Sequence, residues 1–111
     1  MLAVSEKTFT QEVLESSNLV LVNFWAPWCG LCRLTPQILI KLQAEWGDRI
    51  KVVSINADEN LKLASKYKLT TLPTLILFEQ EKVCHRIDRF HGRDDLQKAL
   101  EQVLVSSIYS A

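Results

Sequence analysis

Two cysteines three residues apart, Cys29 and Cys32, are the residues of this chain whose type and spacing most directly suggest chemistry. They lie in Asn23-Phe24-Trp25-Ala26-Pro27-Trp28-Cys29-Gly30-Leu31-Cys32-Arg33, which reads as the end of an apolar strand, a short turn and the start of a helix. The thiolate is the attacking species in disulfide exchange. A thiol in the first turn of a helix ionises more readily, because unpaired N–H groups and the macrodipole place partial positive charge there. Cys32 projects from the same face one turn later, so a disulfide between the two is geometrically reasonable. One cysteine can then attack a substrate disulfide and the other can release the mixed disulfide by attacking the first. The scheme needs Cys29 to be accessible and partly ionised near neutrality. A zinc site would need about four ligands, and only Cys84 and His85 remain to supply them, so no metal is expected.

The elements that must position this pair follow from the pattern of apolar residues. Leu19 to Trp25 is a nearly continuous apolar run, as expected for a strand buried on both faces. Pro27 stops ladder pairing because it has no N–H to donate. From Cys29 a helix is predicted to about Trp46, with Leu34, Ile38, Leu42 and Trp46 along one face, closed by Gly47 in a left-handed conformation. Upstream, Leu2-Ala3-Val4 is a short strand, and Ser5 caps a helix carrying Phe9, Val13 and Leu14 inward. Downstream, Ile50 to Asn56 is a strand, 57–60 a loop, and Leu61 to Tyr67 a helix with Leu61, Ala64 and Tyr67 inward. After the turn Thr70-Thr71-Leu72-Pro73 comes a buried strand, Thr74 to Phe78. A hairpin through Glu79-Gln80-Glu81 leads into a strand from Lys82 to about Phe90. A last helix opens at Asp94 or Asp95, with Leu96, Leu100, Val103 and Leu104 as its apolar face. This β-α-β-α-β-α-β-β-α order, without repeats or linkers, predicts one α/β domain over residues 1–111.

Composition narrows the function further. A chain of 111 residues, 48% hydrophobic, can bury a core without staples. Thirteen basic and thirteen acidic side chains cancel, so no global field attracts nucleic acid or an anionic membrane. No apolar run approaches the roughly 20 residues of a membrane span, and the first residues do not read as a signal peptide. An odd number of cysteines, two of them as Cys-x-x-Cys, points to a redox pair in a reducing compartment rather than a secreted disulfide framework.

On two motifs the chain resembles the thioredoxin family over most of its length. The first is Trp28-Cys29-Gly30-Leu31-Cys32 preceded by Phe24-Trp25-Ala26; the second is Leu72-Pro73-Thr74 ahead of an apolar strand. The resemblance implies a thioredoxin fold, a central mixed β-sheet flanked by helices on both faces. It also implies a cis peptide before Pro73, substrate docking by Leu72 and Pro73, and Trp28 as an aromatic cover beside the disulfide. Gly30, Leu31 and Asn23 are the supporting residues of the site.

This sequence departs from the family pattern in four places. Asn23 stands where the family has a buried acidic residue, and Ser54 stands where it has the lysine partner, so the charged pair is absent as a unit. Cys32 is then expected to lose its proton through water. Leu31 replaces the proline between the cysteines, which alters the reduction potential. Pro36 comes one residue early and is expected to press on the Cys32 carbonyl and shift the helix axis. The hairpin from Phe78 to Gly92 is longer than usual, so no docking role is carried over to His91 and Gly92. His85 is read as a bystander, and Cys84 as an inert or a regulatory thiol.

The resulting expectation is a thiol–disulfide oxidoreductase that reduces protein disulfides, with Cys29 attacking and Cys32 resolving. Its redox group is the Cys29–Cys32 disulfide itself, with no other cofactor. Its partners are disulfide-containing proteins and a donor reductase, and it is a monomer in the cytoplasm or, alternatively, the plastid stroma. The competing readings are a more oxidising oxidase or isomerase, and a redox-weak protein-binding module.

Overall fold

The alternation of side chains along the central apolar run sets the architecture. In the computed structural model, which describes residues 1–109, the strands are β1 (Leu2–Ala3), β2 (Leu19–Trp25), β3 (Ile50–Asn56), β4 (Thr74–Glu79) and β5 (Lys82–Ile87). The helices are α1 (Thr35–Trp46), α2 (Leu61–Lys66) and α3 (Arg93–Tyr109). One mixed sheet runs in the order β1-β3-β2-β4-β5. β3 pairs parallel with β1 and β2, whereas β4 is antiparallel to β2 and β5. This is the thioredoxin-type sheet the sequence led us to expect.

Successive residues of a strand face opposite sides, so the sheet divides the interior in two. Val20, Val22 and Phe24 of β2 join Val4, Phe9, Val13, Val53, Ile55, Leu63, Ile76 and Phe78 on one side. Leu21 joins Ile38, Leu39 and Leu42 of α1, Ile50, Val52, Leu75 and Leu77, and Leu96, Leu100 and Leu104 of α3 on the other. On the first side the rings of Phe9, Phe78 and Tyr67 meet, with Phe78 edge-on to both Phe9 and Tyr67 at 5.7 and 5.3 Å. Burial there raises the Tyr67 phenol above its ordinary value. Each such large apolar side chain contributes roughly 1.5–3 kcal/mol by leaving water.

Where β1 is too short to cover β3, a side chain completes the ladder. Gln43 of α1 donates through Nε2 to the carbonyls of Ile50 and Gly47, and its Oε1 accepts from the Val52 N–H. This ties the end of α1 to the strand and satisfies backbone groups that would otherwise be orphaned. Gly47 has a positive φ of 57°, as expected, but a ψ of −133° takes it outside the left-handed helical region and into a 3₁₀ turn over Gly47–Arg49.

Several expectations are corrected. The first helix is only a turn followed by a π-helical segment, Thr10–Leu14; Ser5 still accepts from the Lys7 N–H through its side chain. In α2 it is Leu63 that is buried, while Leu61 is 69% exposed. The phase of that helix is set by polar contacts at its start. Glu6 accepts from the Lys62 N–H, and Asn60 accepts from the Glu6 N–H and donates to the Asn56 carbonyl. β5 ends at Ile87 rather than near Phe90, because Arg89 takes a left-handed φ of 55° and Asp88 folds back to pair with Arg86. The hairpin turns at Gln80 with a φ of 54°. A register shift between Leu77 and Phe78 leaves Cys84 as the extra residue of a β-bulge, partly buried against the α1/α3 side.

Candidate active site

The site forms where β2 ends. Beyond Trp25 the chain turns through Pro27 and Trp28, and the Cys29 N–H closes the turn by donating to the Ala26 carbonyl at 3.1 Å. Contrary to the expectation of a helix from Cys29, no α-helix begins there. Leu31–Leu34 form a 3₁₀ segment, and α1 starts at Thr35. Pro36 therefore falls in the first turn of α1, where its missing N–H is not needed, and it produces no interior kink. The Cys32 carbonyl is engaged instead by the Thr35 N–H and by the Thr35 hydroxyl at 2.9 Å.

Cys29 and Cys32 are joined as a disulfide with their Cα atoms 5.4 Å apart. The Cys32 N–H donates to Cys29 Sγ at 3.2 Å. On reduction that donor, at the start of the helical segment, favours a thiolate on Cys29 over a thiol. Neither cysteine is openly exposed: they retain 6% and 7% of their surface. The sequence reading needs an accessible Cys29; in the disulfide form only a small part of that residue reaches the surface.

The neighbours of the pair divide into exposed and buried groups. Trp28 is 70% exposed, and its Nε1–H donates to Asp58 Oδ2 at 2.9 Å. The register pairs Trp25 with Asn56, so the segments leaving β2 and β3 start side by side and these two residues meet. Asn56 holds the Asp58 end of this contact in place by accepting from the Asp58 and Glu59 N–H groups. Leu31 is exposed. Gly30 takes an ordinary helical φ of −62°, and a Cβ there would meet nothing within 4 Å, so the backbone does not require glycine at this position.

The Leu72–Pro73 peptide is cis. Pro73 is buried and directly precedes β4, whose first residue, Thr74, pairs with Phe24. The turn thus lies at the same end of β2 from which the cysteine turn departs. Thr74 fastens it by donating to the Thr71 carbonyl at 2.6 Å. Leu72 packs partly buried against the Phe24 side of the core.

Beneath Cys32 the polar residues are neutral. Asn23 is buried, pairs in register with Ser54, and donates through Nδ2 to Thr35 Oγ1 at 3.3 Å. Asn23, Ser54, Trp25, Pro36, Met1 and Cys32 line a pocket of about 240 Å³. Sequence reasoning missed both Thr35 and Asp58. A hydroxyl three residues after Cys32 on a helical start was a signal for the first, since Ser and Thr often bond back to the i−3 carbonyl. Among the described residues no group of three or more His, Cys, Asp or Glu side chains could hold a metal ion.

A mixed five-stranded sheet carrying a Cys-x-x-Cys pair at the end of its central strand, with a cis-proline turn at the same end, defines a class of dithiol–disulfide oxidoreductases. The chain belongs to the thioredoxin family, whose model, described simply as Thioredoxin, matches residues 1–103. It is similar to thioredoxin 1 of Synechococcus elongatus, with 49% identity over 90 residues, 81% of each chain. It is 35% identical to the thioredoxin of Bacillus subtilis over 100 residues, 90% of this chain and 94% of that one. It is also 44% identical to the chloroplastic M-type thioredoxin of Chlamydomonas reinhardtii, over 77% of this chain and 61% of that protein. The protein is thus a thiol–disulfide oxidoreductase whose redox group is its own Cys29–Cys32 disulfide.

Proposed function

We propose that the protein works as a reductant of protein disulfides, with Cys29 as the attacking and Cys32 as the resolving cysteine. The observation that carries this assignment is the Cys32 N–H aimed at Cys29 Sγ, which favours ionisation of the first sulfur. The Cys29 thiolate attacks a substrate disulfide, forms a mixed disulfide and expels one substrate thiolate. Cys32 then attacks Cys29 Sγ, the Cys29–substrate bond breaks, and the second substrate sulfur leaves as a thiolate that takes up a proton. Two electrons have passed to the substrate, and a donor reductase must return them.

In this reading the exposed Trp28 and Leu31, with Leu72 and Pro73, form the surface on which an extended substrate segment docks. The protein acts as a monomer in electron transport and redox homeostasis. We place it in the cytoplasm; the chloroplastic name of one relative favours the plastid stroma as a second location. The neutrality of the Asn23/Ser54 position is the observation that supports a redox-weak binding module instead. Insulin reduction separates the two: the wild type should be active and Cys29→Ser inactive, and inactivity of both would leave the binding module. A redox titration of the pair, with a potential above about −200 mV, would replace the reductant by an oxidase or isomerase.

A further inference from the structure

We propose that Thr35 is a positioning residue: it locks the Asn23 amide with its carbonyl toward the Cys32 pocket, so that Asn23 holds the Cys32 proton until resolution. The proposal rests on the reading of Cys32 as the resolving cysteine.

The direction of the amide follows from proton counting. Thr35 Oγ1 lies 2.9 Å from the Cys32 carbonyl, which can only accept, so the single hydroxyl proton is committed to that contact. In its contact with Asn23 at 3.3 Å the same oxygen must therefore accept, and the NH2 side of the amide faces Thr35. Asn23 Oδ1 is left pointing away, buried and without a protein partner, on a residue that keeps 3% of its surface. Asn23 and Cys32 line the same pocket of about 240 Å³.

To this pocket β2 contributes Asn23 and Trp25, β3 contributes Ser54, the helical segment contributes Cys32 and Pro36, and the start of the chain contributes Met1. Besides reduced Cys32, the α-amino group of Met1 is the one titratable group among these lining residues, and no carboxylate is present. Accepting directly from the Cys32 thiol, the unpartnered Asn23 Oδ1 stabilises the protonated form, because a hydrogen bond to the neutral form disfavours ionisation. Reversing the amide would present NH2 donors and favour the thiolate. Resolution then begins when the Cys32 proton passes to pocket water, and the resulting thiolate forms the bond to Cys29 Sγ as the substrate sulfur leaves.

Stopped-flow reaction of the reduced protein with an aromatic disulfide that releases a coloured thiol reads both steps, in a Cys84→Ala background so that only the pair reacts. The first equivalent of coloured thiol reports attack by Cys29 and the second reports resolution by Cys32. Thr35→Val should lower the pH midpoint of the second phase by about one unit, because one hydrogen bond of about 1.5 kcal/mol is lost from the thiol form. The first phase should not move, and Thr35→Ser should restore the wild-type midpoint. Asn23→Ala, which removes the acceptor itself, should lower the midpoint as well and gives the answer if Thr35→Val does not fold. Equal midpoints in wild type, Asn23→Ala and any folded Thr35→Val protein would overturn the proposal. Release of only one equivalent by the wild type would remove the resolving role of Cys32 and, separately recognisable, the proposal with it.

Discussion

On one face of β2, Val20, Val22 and Phe24 pack into an apolar layer with Phe9, Leu63 and Phe78. On the other, Leu21 packs equally well under α1, but the next residue on that face is Asn23, followed by the partly buried Trp25. The two faces thus begin alike and diverge toward the end of the strand that carries the cysteines. The difference shows where this fold accepts a buried polar group: beside the redox pair, held by Thr35, and with one carbonyl left unpartnered. Leaving a buried acceptor unpartnered costs stability, about 1–3 kcal/mol, so its position next to Cys32 marks that corner as functional rather than structural.

Substitutions can test the contrast from both sides. Phe24→Ala opens a cavity in the apolar face and should lower the free energy of unfolding by about 3–5 kcal/mol, measured by urea denaturation of the oxidised protein. Asn23→Asp on the opposite face places a carboxylate where no cation stands across the sheet, because the register partner is Ser54. It should cost about 3 kcal/mol at neutral pH. Burial raises the new carboxyl above its unfolded value, so the deficit should shrink as the pH is lowered and the group becomes neutral. A variant as stable as wild type at neutral pH would mean that the polar corner tolerates charge.

The smallest effect concerns the one phenol on the apolar face. Burial raises Tyr67, so its phenol form is favoured in the folded state. That contribution is complete below the ordinary value of 10.0 and is lost as pH rises toward the elevated one. Denaturation of wild type and Tyr67→Phe across this range should show an alkaline loss in the wild type that the variant lacks.

The sequence made the sheet and the two motifs legible because these rest on short-range signals. The apolar run 19–25, the proline after Leu72 and the Cys-x-x-Cys spacing each declare themselves within a few residues. What stayed hidden was set by partners distant in the chain. The phase of α2 depends on Glu6 reaching Lys62, which is why Leu63 rather than Leu61 turned inward. The support of Trp28 by Asp58 needed the parallel register of β2 and β3. The displacement of Cys84 into a bulge is a pairing irregularity that no alternation pattern announces. Thr35 was the exception, a local signal masked by the stronger one of Pro36 beside it. Both the neutral pair Asn23/Ser54 and its place under Cys32 were readable, whereas the direction of the Asn23 amide required the hydroxyl geometry.

The claim at the centre of this account is that Cys29 makes the first bond to substrate and Cys32 breaks it. Removing the resolving sulfur isolates that step: Cys32→Ser, reduced and mixed with insulin, should stop at the mixed disulfide, and peptide mapping by mass spectrometry should find an insulin chain on Cys29. An insulin adduct on Cys84 alone, or no adduct in a folded variant, would contradict it.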